Sequence, residues 1–212
     1  MIHINREDIA SFDRLYRLNL INSLPGYKSA NLIGTADSEG RTNLAIFSTV
    51  THMGSNPPLI GFITRPTTVP RHTYQNIKET GYYTINHVHE SFIEKAHYTS
   101  AKFDLYECEF EKVNLTKEYR GIPNIPYIAE SQLKIGLAFR KEIPIDLNQT
   151  ILVIGEVQEI YIDEDALGED GIVDLNQLGT VCISGLESYH KVQKISSFPY
   201  ARKQDLPDFS GK

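Results

Sequence analysis

The sequence has no tryptophan, only two cysteines, and no apolar run near the roughly 20 residues needed to cross a membrane. Cys108 and Cys182 are too few for a disulfide framework, so a reducing cytoplasm is the expected compartment. The first residues lack a basic segment followed by an apolar one, so no secretory signal is predicted. The net charge of -6 argues against a protein that holds nucleic acid through phosphate contacts.

The 212 residues are 41% hydrophobic and 23% charged, which is typical of a globular chain rather than a disordered one. No fixed-period repeat and no Pro/Gly/Ser-rich linker divides the chain. We therefore expect one main domain over residues 25–200. A helical extension (1–24) precedes it, and a polar tail (201–212) follows it.

Strand-like runs dominate the pattern. They cover residues 30–36, 44–50, 58–64, 82–88, 109–115, 127–129, 133–141, 151–162 and 181–184. Short helices are predicted within the N-terminal extension and over residues 70–80, 91–97 and 175–178. Because helices are few and do not follow each strand, the pattern indicates an antiparallel β-barrel with helical decorations rather than a parallel doubly wound sheet.

A cluster of cationic and hydroxyl side chains surrounds the start of the predicted helix 70–80. It contains Arg65, Arg71, His72 and Thr73. Free backbone N–H groups and the helix dipole favour an anion at such a place, and arginine adds charge-assisted hydrogen bonds. The cluster therefore suits a phosphate group. A capped helix with solvated arginines explains the same residues, and the residues alone leave both interpretations open.

Two further segments could contact a ligand. The run from Asn43 to Thr51 mixes small polar and apolar residues, and its amide and hydroxyls would suit a planar heteroaromatic ring with polar edges. Ser100 and Lys102 could complete an anion site after a helix. A plain core strand and a solvated loop are the respective alternatives.

Several motifs, in this order and spacing, together resemble the flavin reductase-like family of FMN-binding split-barrel proteins, especially its flavoredoxin-like branch. They are Gly40-Arg41-Thr42-Asn43-Leu44-Ala45 with Ser48, Asn56-Pro57-Pro58-Leu59-Ile60-Gly61, Arg71-His72-Thr73 with Asn76-Ile77, Thr80-Gly81-Tyr82-Tyr83-Thr84-Ile85-Asn86, Ser100-Ala101-Lys102-Phe103, Gly155-Glu156-Val157 and Gly185-Leu186-Glu187-Ser188-Tyr189. The resemblance spans roughly residues 25–200.

The resemblance implies a mainly β fold, a six-stranded antiparallel Greek-key split β-barrel with a few peripheral helices. It also implies a homodimer with FMN near the subunit interface. The residues expected to line the isoalloxazine and ribityl chain are Asn43, Leu44, Ala45, Ser48, Thr49 and Val50. Arg71, His72 and Thr73, with Arg65 nearby, would hold the phosphate. Ser100, Ala101 and Lys102 would close the site, and Tyr189 and His190 would contact a nicotinamide.

The implied activity is an NAD(P)H:flavin oxidoreductase in which the cofactor carries the chemistry, so no catalytic side chain is named. The alternatives are a non-enzymatic FMN electron carrier and a split barrel that binds another cofactor, such as haem or a pyridoxine phosphate. His87, His89 and His97 suggest a metal, but no nearby cysteine or carboxylate pattern completes a standard ligand set. No metal is therefore expected.

Overall fold

The computed structural model describes residues 1–104 and 106–209. Its strands are β1 (Lys28–Ser29), β2 (Asn31–Ala36), β3 (Thr42–Phe47), β4 (Thr51–Ser55), β5 (Pro58–Thr64), β6 (Tyr82–His87), β7 (Lys117–Glu118), β8 (Tyr127–Ile128), β9 (Leu133–Ile145), β10 (Thr150–Ile162), β11 (Val181–Ser184) and β12 (Ser188–Lys191). The α-helices are α1 (Arg6–Ser11), α2 (Arg14–Ser23), α3 (His72–Thr80), α4 (Ile93–Tyr98) and α5 (Glu109–Lys112). Short 3₁₀ turns cover Glu90–Phe92, Glu164–Ala166 and Lys203–Asp205.

The main sheet has seven antiparallel strands in the order β3-β2-β6-β9-β10-β5-β4. Its two edge strands, β3 and β4, are consecutive in the chain and are joined by residues 48–50. Four Cα–Cα steps reach at most about 15 Å, whereas the edges of a flat seven-stranded sheet lie roughly 29 Å apart. The sheet must therefore curl until its edges approach each other, which makes it a barrel.

Both faces of strand β2 are buried, and they belong to two different cores. Ile33 lies in the barrel interior with Phe62 and Tyr83, and Ile77 of α3 joins this cluster. Leu32 points the opposite way, into an outer cluster that contains residues of α4, α5 and β11. Because side chains alternate along a strand, one apolar strand can serve both layers. Helix α3 thus packs on the interior cluster, whereas α4 and α5 pack on the outer face.

The predicted mainly β architecture with few peripheral helices is confirmed, but the main sheet has seven strands rather than six. Strand β4 was not predicted because it is short and mostly exposed and contains little apolar sequence. The smaller sheets have the orders β1-β11-β12 and β7-β8. None of the described helices combines the length and the apolarity that a membrane crossing requires.

Two predicted elements are wrong. The segment 109–115 is not a strand, because one helical turn in α5 lets Phe110 and Val113, three residues apart, pack into the same cluster. The segment 175–178 is a turn rather than a helix. There the Asp174 carboxylate accepts hydrogen bonds from the next backbone N–H groups, and Gly179 adopts φ 57°.

The two ends of the chain also refine the prediction. The N-terminal extension forms two helices, because Asp13 caps the second one by accepting from the N–H groups of Leu15 and Tyr16. Strand β12 was not anticipated. Residues 201–209 are all exposed and include a short 3₁₀ turn, and residues 210–212 of the predicted tail lie outside the described part of the chain.

Candidate functional site

Helix α3 begins at His72, two residues later than predicted, and its first turn carries no side-chain cap. Arg71 occupies the N-cap position, and Gly81 ends the helix in the left-handed conformation at φ 77°. Thr73, in the first turn, is buried. The first N–H groups of a helix have no partner within it, so this uncapped start is a favourable place for an anion.

Two arginines lie close together beside this helix start. Arg71 is half-buried, and its Nε donates to the carbonyl of Pro66 at 3.1 Å. Burial lowers the pKa of Arg71, and the like charge of the exposed Arg65 lowers it further. An anion between the two guanidinium groups would offset both effects. The structure therefore brings Arg65, Arg71, His72 and Thr73 together at one helix end.

Strand β3 presents Asn43 and Ala45 on one face and Leu44 on the other. The carboxamide of the buried Asn43 lies next to Thr73 of α3, with 2.9 Å between the nearest atoms. The Leu44 side chain is fully buried in the outer cluster, so only its main chain could reach a ligand. The N–H of Leu44 donates to Glu109, so the Leu44 carbonyl is the main-chain group that remains for a ligand. Ala45 is half-buried on the same side as Asn43.

The link between the barrel edges supplies the next predicted residues. The Thr49 hydroxyl accepts from the N–H of Ile63 at 3.0 Å and donates to its carbonyl at 3.1 Å, so it fastens the link to β5. Val50 packs against the interior cluster, and Ser48 is half-buried. These three residues therefore form a short wall at the barrel seam, between β3 and β5.

The segment predicted to close the site follows α4. Ser100 donates its hydroxyl to the carbonyl of His97 at 2.7 Å, so this side chain satisfies a carbonyl of the last helical turn. Ser100, Ala101 and Lys102 are all exposed. Helix α4 packs beside β3 through the outer cluster, so this segment lies on the opposite face of β3 from α3. Lys102 is exposed, so its ammonium group would have to approach a ligand at the edge of β3.

Tyr189 and His190, the predicted nicotinamide contacts, point to opposite sides of β12. The Tyr189 hydroxyl lies 3.2 Å from His97 Nδ1, whereas His190 Nε2 lies 2.8 Å from Ser184 Oγ. Burial raises the pKa of Tyr189 to about 12. A groove of about 520 Å³ lies between α4 and β12, lined by Glu90, Ser91, Ile93, Glu94, His97, Tyr98, Glu187 and Tyr189.

One residue of this region was missed by the sequence reasoning. Glu109, in α5, is 7% exposed, and its Oε2 accepts from the N–H of Leu44 at 3.1 Å. Its Oε1 lies 3.2 Å from the carboxamide of Asn43. Burial raises the pKa of this carboxyl group. No signal in the local pattern could have revealed the contact, because it depends on how α5 packs across β3.

The three histidines considered as metal ligands have separate environments. His87 is held within a strand, and burial lowers its pKa to about 4. His89 Nδ1 lies 2.8 Å from Ser91 Oγ, and His97 faces Tyr189. Among residues 1–104 and 106–209, no group of three or more His, Cys, Asp or Glu side chains could hold a metal ion.

The profile of the flavin reductase like domain matches residues 24–179. The chain belongs to this family. Its fold resembles a split-barrel protein from Shewanella frigidimarina that is provisionally called a flavin reductase, with 47% identity and a TM-score of 0.91. That match covers 95% of this chain and 100% of the other. The resemblance to flavin reductases and the split-barrel fold predicted from the motifs are thus confirmed.

Two other solved structures share the fold. The flavoredoxin of Desulfovibrio vulgaris is 25% identical with a TM-score of 0.72, over 83% of this chain and 92% of that one. Nitrilotriacetate monooxygenase component B from Bacillus cereus is 22% identical with a TM-score of 0.82, over 93% and 98% of the two chains. Membership of the family supports a flavin-related oxidoreductase function.

Proposed function

We propose that this chain binds FMN and transfers hydride from NAD(P)H to flavin. The observation that carries the proposal is the uncapped start of α3 with two neighbouring arginines. Within residues 1–104 and 106–209, neither Arg65 nor Arg71 forms an ion pair with a carboxylate. Two close, unneutralised guanidinium groups beside free backbone donors fit a dianionic phosphate better than a structural role.

The remaining predicted residues fit the rest of the cofactor. Asn43, Ala45 and the seam residues Ser48, Thr49 and Val50 would face the ring and ribityl chain, with the main chain of Leu44. His72 and Thr73 would hold the phosphate beside the arginines, and Ser100, Ala101 and Lys102 would close the site from the other face of β3. When bound, the flavin supplies the hydride-accepting chemistry. The protein binds it, orients it and shields one face, so no side chain is required as an acid or base.

The nicotinamide would approach through the groove beside Tyr189. Three carboxylates line this groove, and Lys191 pairs with one of them, Glu90, at 2.8 Å. The negative rim would repel the diphosphate of a dinucleotide, so we place only the nicotinamide ring against Tyr189. His190 contacts Ser184 instead, and we give it a supporting position in the hairpin.

A homodimer is part of this proposal. Helices α1 and α2 contain no buried residue, although helices this short are marginal without tertiary packing. A second copy would cover them, and it would also enclose the exposed side of the flavin site. We also propose a cytoplasmic location, because both cysteines are free thiols.

Addition of FMN to the purified apoprotein tests the proposal. We expect oxidised-flavin absorption bands, at roughly 370 and 450 nm, to remain with the protein after gel filtration. NADH or NADPH oxidation with FMN should then exceed the rate without protein. Flavin bands without faster oxidation would favour an electron carrier. Failure to retain FMN would reject the flavin site, and retention of haem or pyridoxine phosphate instead would indicate the third alternative.

A further inference from the structure

Three buried polar side chains form a line from α5 across β3 to the first turn of α3. Glu109, Asn43 and Thr73 are 7%, 7% and 6% exposed. One end of the Asn43 carboxamide lies 2.9 Å from Thr73 Oγ1, and the other lies 3.2 Å from Glu109 Oε1. We call these three residues the Asn43 relay. Because buried polar groups must be hydrogen-bonded, each neighbour restricts how the amide can be oriented.

The relay has two self-consistent arrangements. An ionised Glu109 can only accept, so the Asn43 NH₂ group faces it and the Asn43 carbonyl faces Thr73. The Thr73 hydroxyl then donates to that carbonyl. A protonated Glu109 can donate to the Asn43 carbonyl instead. The NH₂ group then faces Thr73, whose oxygen accepts, and the hydroxyl proton becomes free for another acceptor.

We propose that the Asn43 relay couples protonation of Glu109 to phosphate binding at the start of α3. When Glu109 is protonated, the Thr73 hydroxyl is free to donate to the phosphate; when Glu109 is ionised, that hydroxyl is held by Asn43. Phosphate binding is accompanied by uptake of a proton from solvent onto the carboxylate. This inference rests on the proposed function, and it makes Glu109 a positioning residue that acts through Asn43 and Thr73.

The surroundings of Glu109 favour such a titration. Burial raises the pKa of Glu109, and the negative charge of Glu107 raises it further. The hydrogen bond from the N–H of Leu44 lowers that pKa. A crevice beside it is also lined by Asp37, Arg41 and His72. Asp37 and Arg41 pair with each other at 2.6 Å. Affinity for FMN should therefore fall as the pH rises through the pKa of Glu109.

The decisive experiment measures FMN and riboflavin binding across pH in three proteins. In Glu109→Gln, the amide donates to the Asn43 carbonyl as the protonated acid would, so the relay is fixed. Glu107→Gln is the matched control, because Glu107 lines the same crevice and pairs with Lys112 at 2.7 Å, and within residues 1–104 and 106–209 it forms no hydrogen bond with Asn43. The second ionisation of the phosphate, near about pH 6, is common to all three.

For the unmodified protein, we expect the ratio of FMN to riboflavin affinity to fall about tenfold between pH values below and above the titration of Glu109, the factor for one pKa unit. Glu109→Gln should show a much flatter ratio, with FMN affinity at high pH at least equal to that of the unmodified protein. Glu107→Gln should keep a pH dependence of the same size, with its midpoint at a lower pH because the charge of Glu107 no longer raises the pKa of Glu109. Calorimetry in buffers of different ionisation enthalpy should detect proton uptake on FMN binding, and Glu109→Gln should remove the part of it that exceeds the contribution of the phosphate.

The hydroxyl of Thr73 provides an independent check. Thr73→Val should remove the pH dependence that Glu109 contributes, and Thr73→Ser should retain it. The relay is wrong if Glu109→Gln keeps the original profile, if Glu107→Gln flattens it equally, or if riboflavin shows the same dependence. Those results leave FMN binding intact, whereas failure of every variant to bind FMN at any pH would reject the proposed function itself.

Misfolding can be separated from loss of the relay. Because the pKa of Glu109 is raised in the folded state, its ionisation lowers stability as the pH rises above about 4.3, the value in an unfolded chain. Glu109→Gln should therefore have a thermal midpoint at neutral pH no lower than that of the unmodified protein. A lower midpoint together with weaker binding of both flavins would show a structural role and contradict the relay.

Discussion

At the scale of a single residue, Arg71 is the most direct test of the phosphate site. Arg71→Ala should weaken FMN binding by about 1.5–3 kcal/mol, the value of a hydrogen bond to a charged group. Riboflavin, which has no phosphate, should lose much less. Fluorescence titration with both flavins measures the difference. Arg140→Ala is the control, since Arg140 is an exposed arginine of β9 that pairs with Glu156.

Equal losses of FMN and riboflavin affinity in Arg71→Ala would place this guanidinium away from the phosphate.

The sequence could predict Arg71 as a candidate because cations next to a helix start have a recognisable local pattern. It could not predict Glu109. That carboxylate reaches Asn43, 66 residues earlier, only because α5 folds across the edge of β3.

At the scale of the element, the link between β3 and β4 determines whether the barrel closes. Thr49→Val removes both hydrogen bonds from the link to Ile63, so we expect a loss of about 1–2 kcal/mol in the free energy of unfolding. Urea denaturation of the apoprotein measures it. Thr67→Val, at an exposed position before α3, should change stability by less than about 0.5 kcal/mol.

If Thr49→Val were as stable as Thr67→Val, the seam would not depend on this hydroxyl.

Among the elements, the long strands were predictable because their apolar runs are bounded by turn residues, as in β5 and β10. The short segment 109–115 was not, because Val113 and Leu115 are spaced as in a strand whereas Phe110 and Val113 are spaced as in a helix, and packing selects the helix. Strand β4 contains too little apolar sequence to be recognised without its partner β5.

At the scale of the whole molecule, the exposed N-terminal helices predict a dimer. Leu15, Tyr16 and Leu24 are 66%, 51% and 68% exposed in a single chain, which is a large apolar surface for a folded protein. Sedimentation equilibrium at micromolar concentration should give twice the chain mass of 24.0 kDa. A variant without residues 1–24 should shift towards the monomer.

A full-length chain that sediments only at 24.0 kDa would contradict both the dimer and the enclosure of the flavin by a partner.

The barrel as a whole was predictable because strands greatly outnumber helices and most strands are not followed by a helix. The order of the strands was not predictable, because it depends on contacts between distant segments. The pairing of β6 with β9, across about fifty residues, is one example.

The seam residues 48–50 close the barrel and, in the proposed function, also form a wall of the flavin site. If this wall were rigid, the flavin could leave only on the side away from residues 48–50. Here, breaking the bonds of Thr49 to β5 would loosen that wall while the interior cluster stays packed. Cofactor exchange would then require one local opening rather than global unfolding. The lifetime of the bound flavin would then depend on the two hydrogen bonds of Thr49.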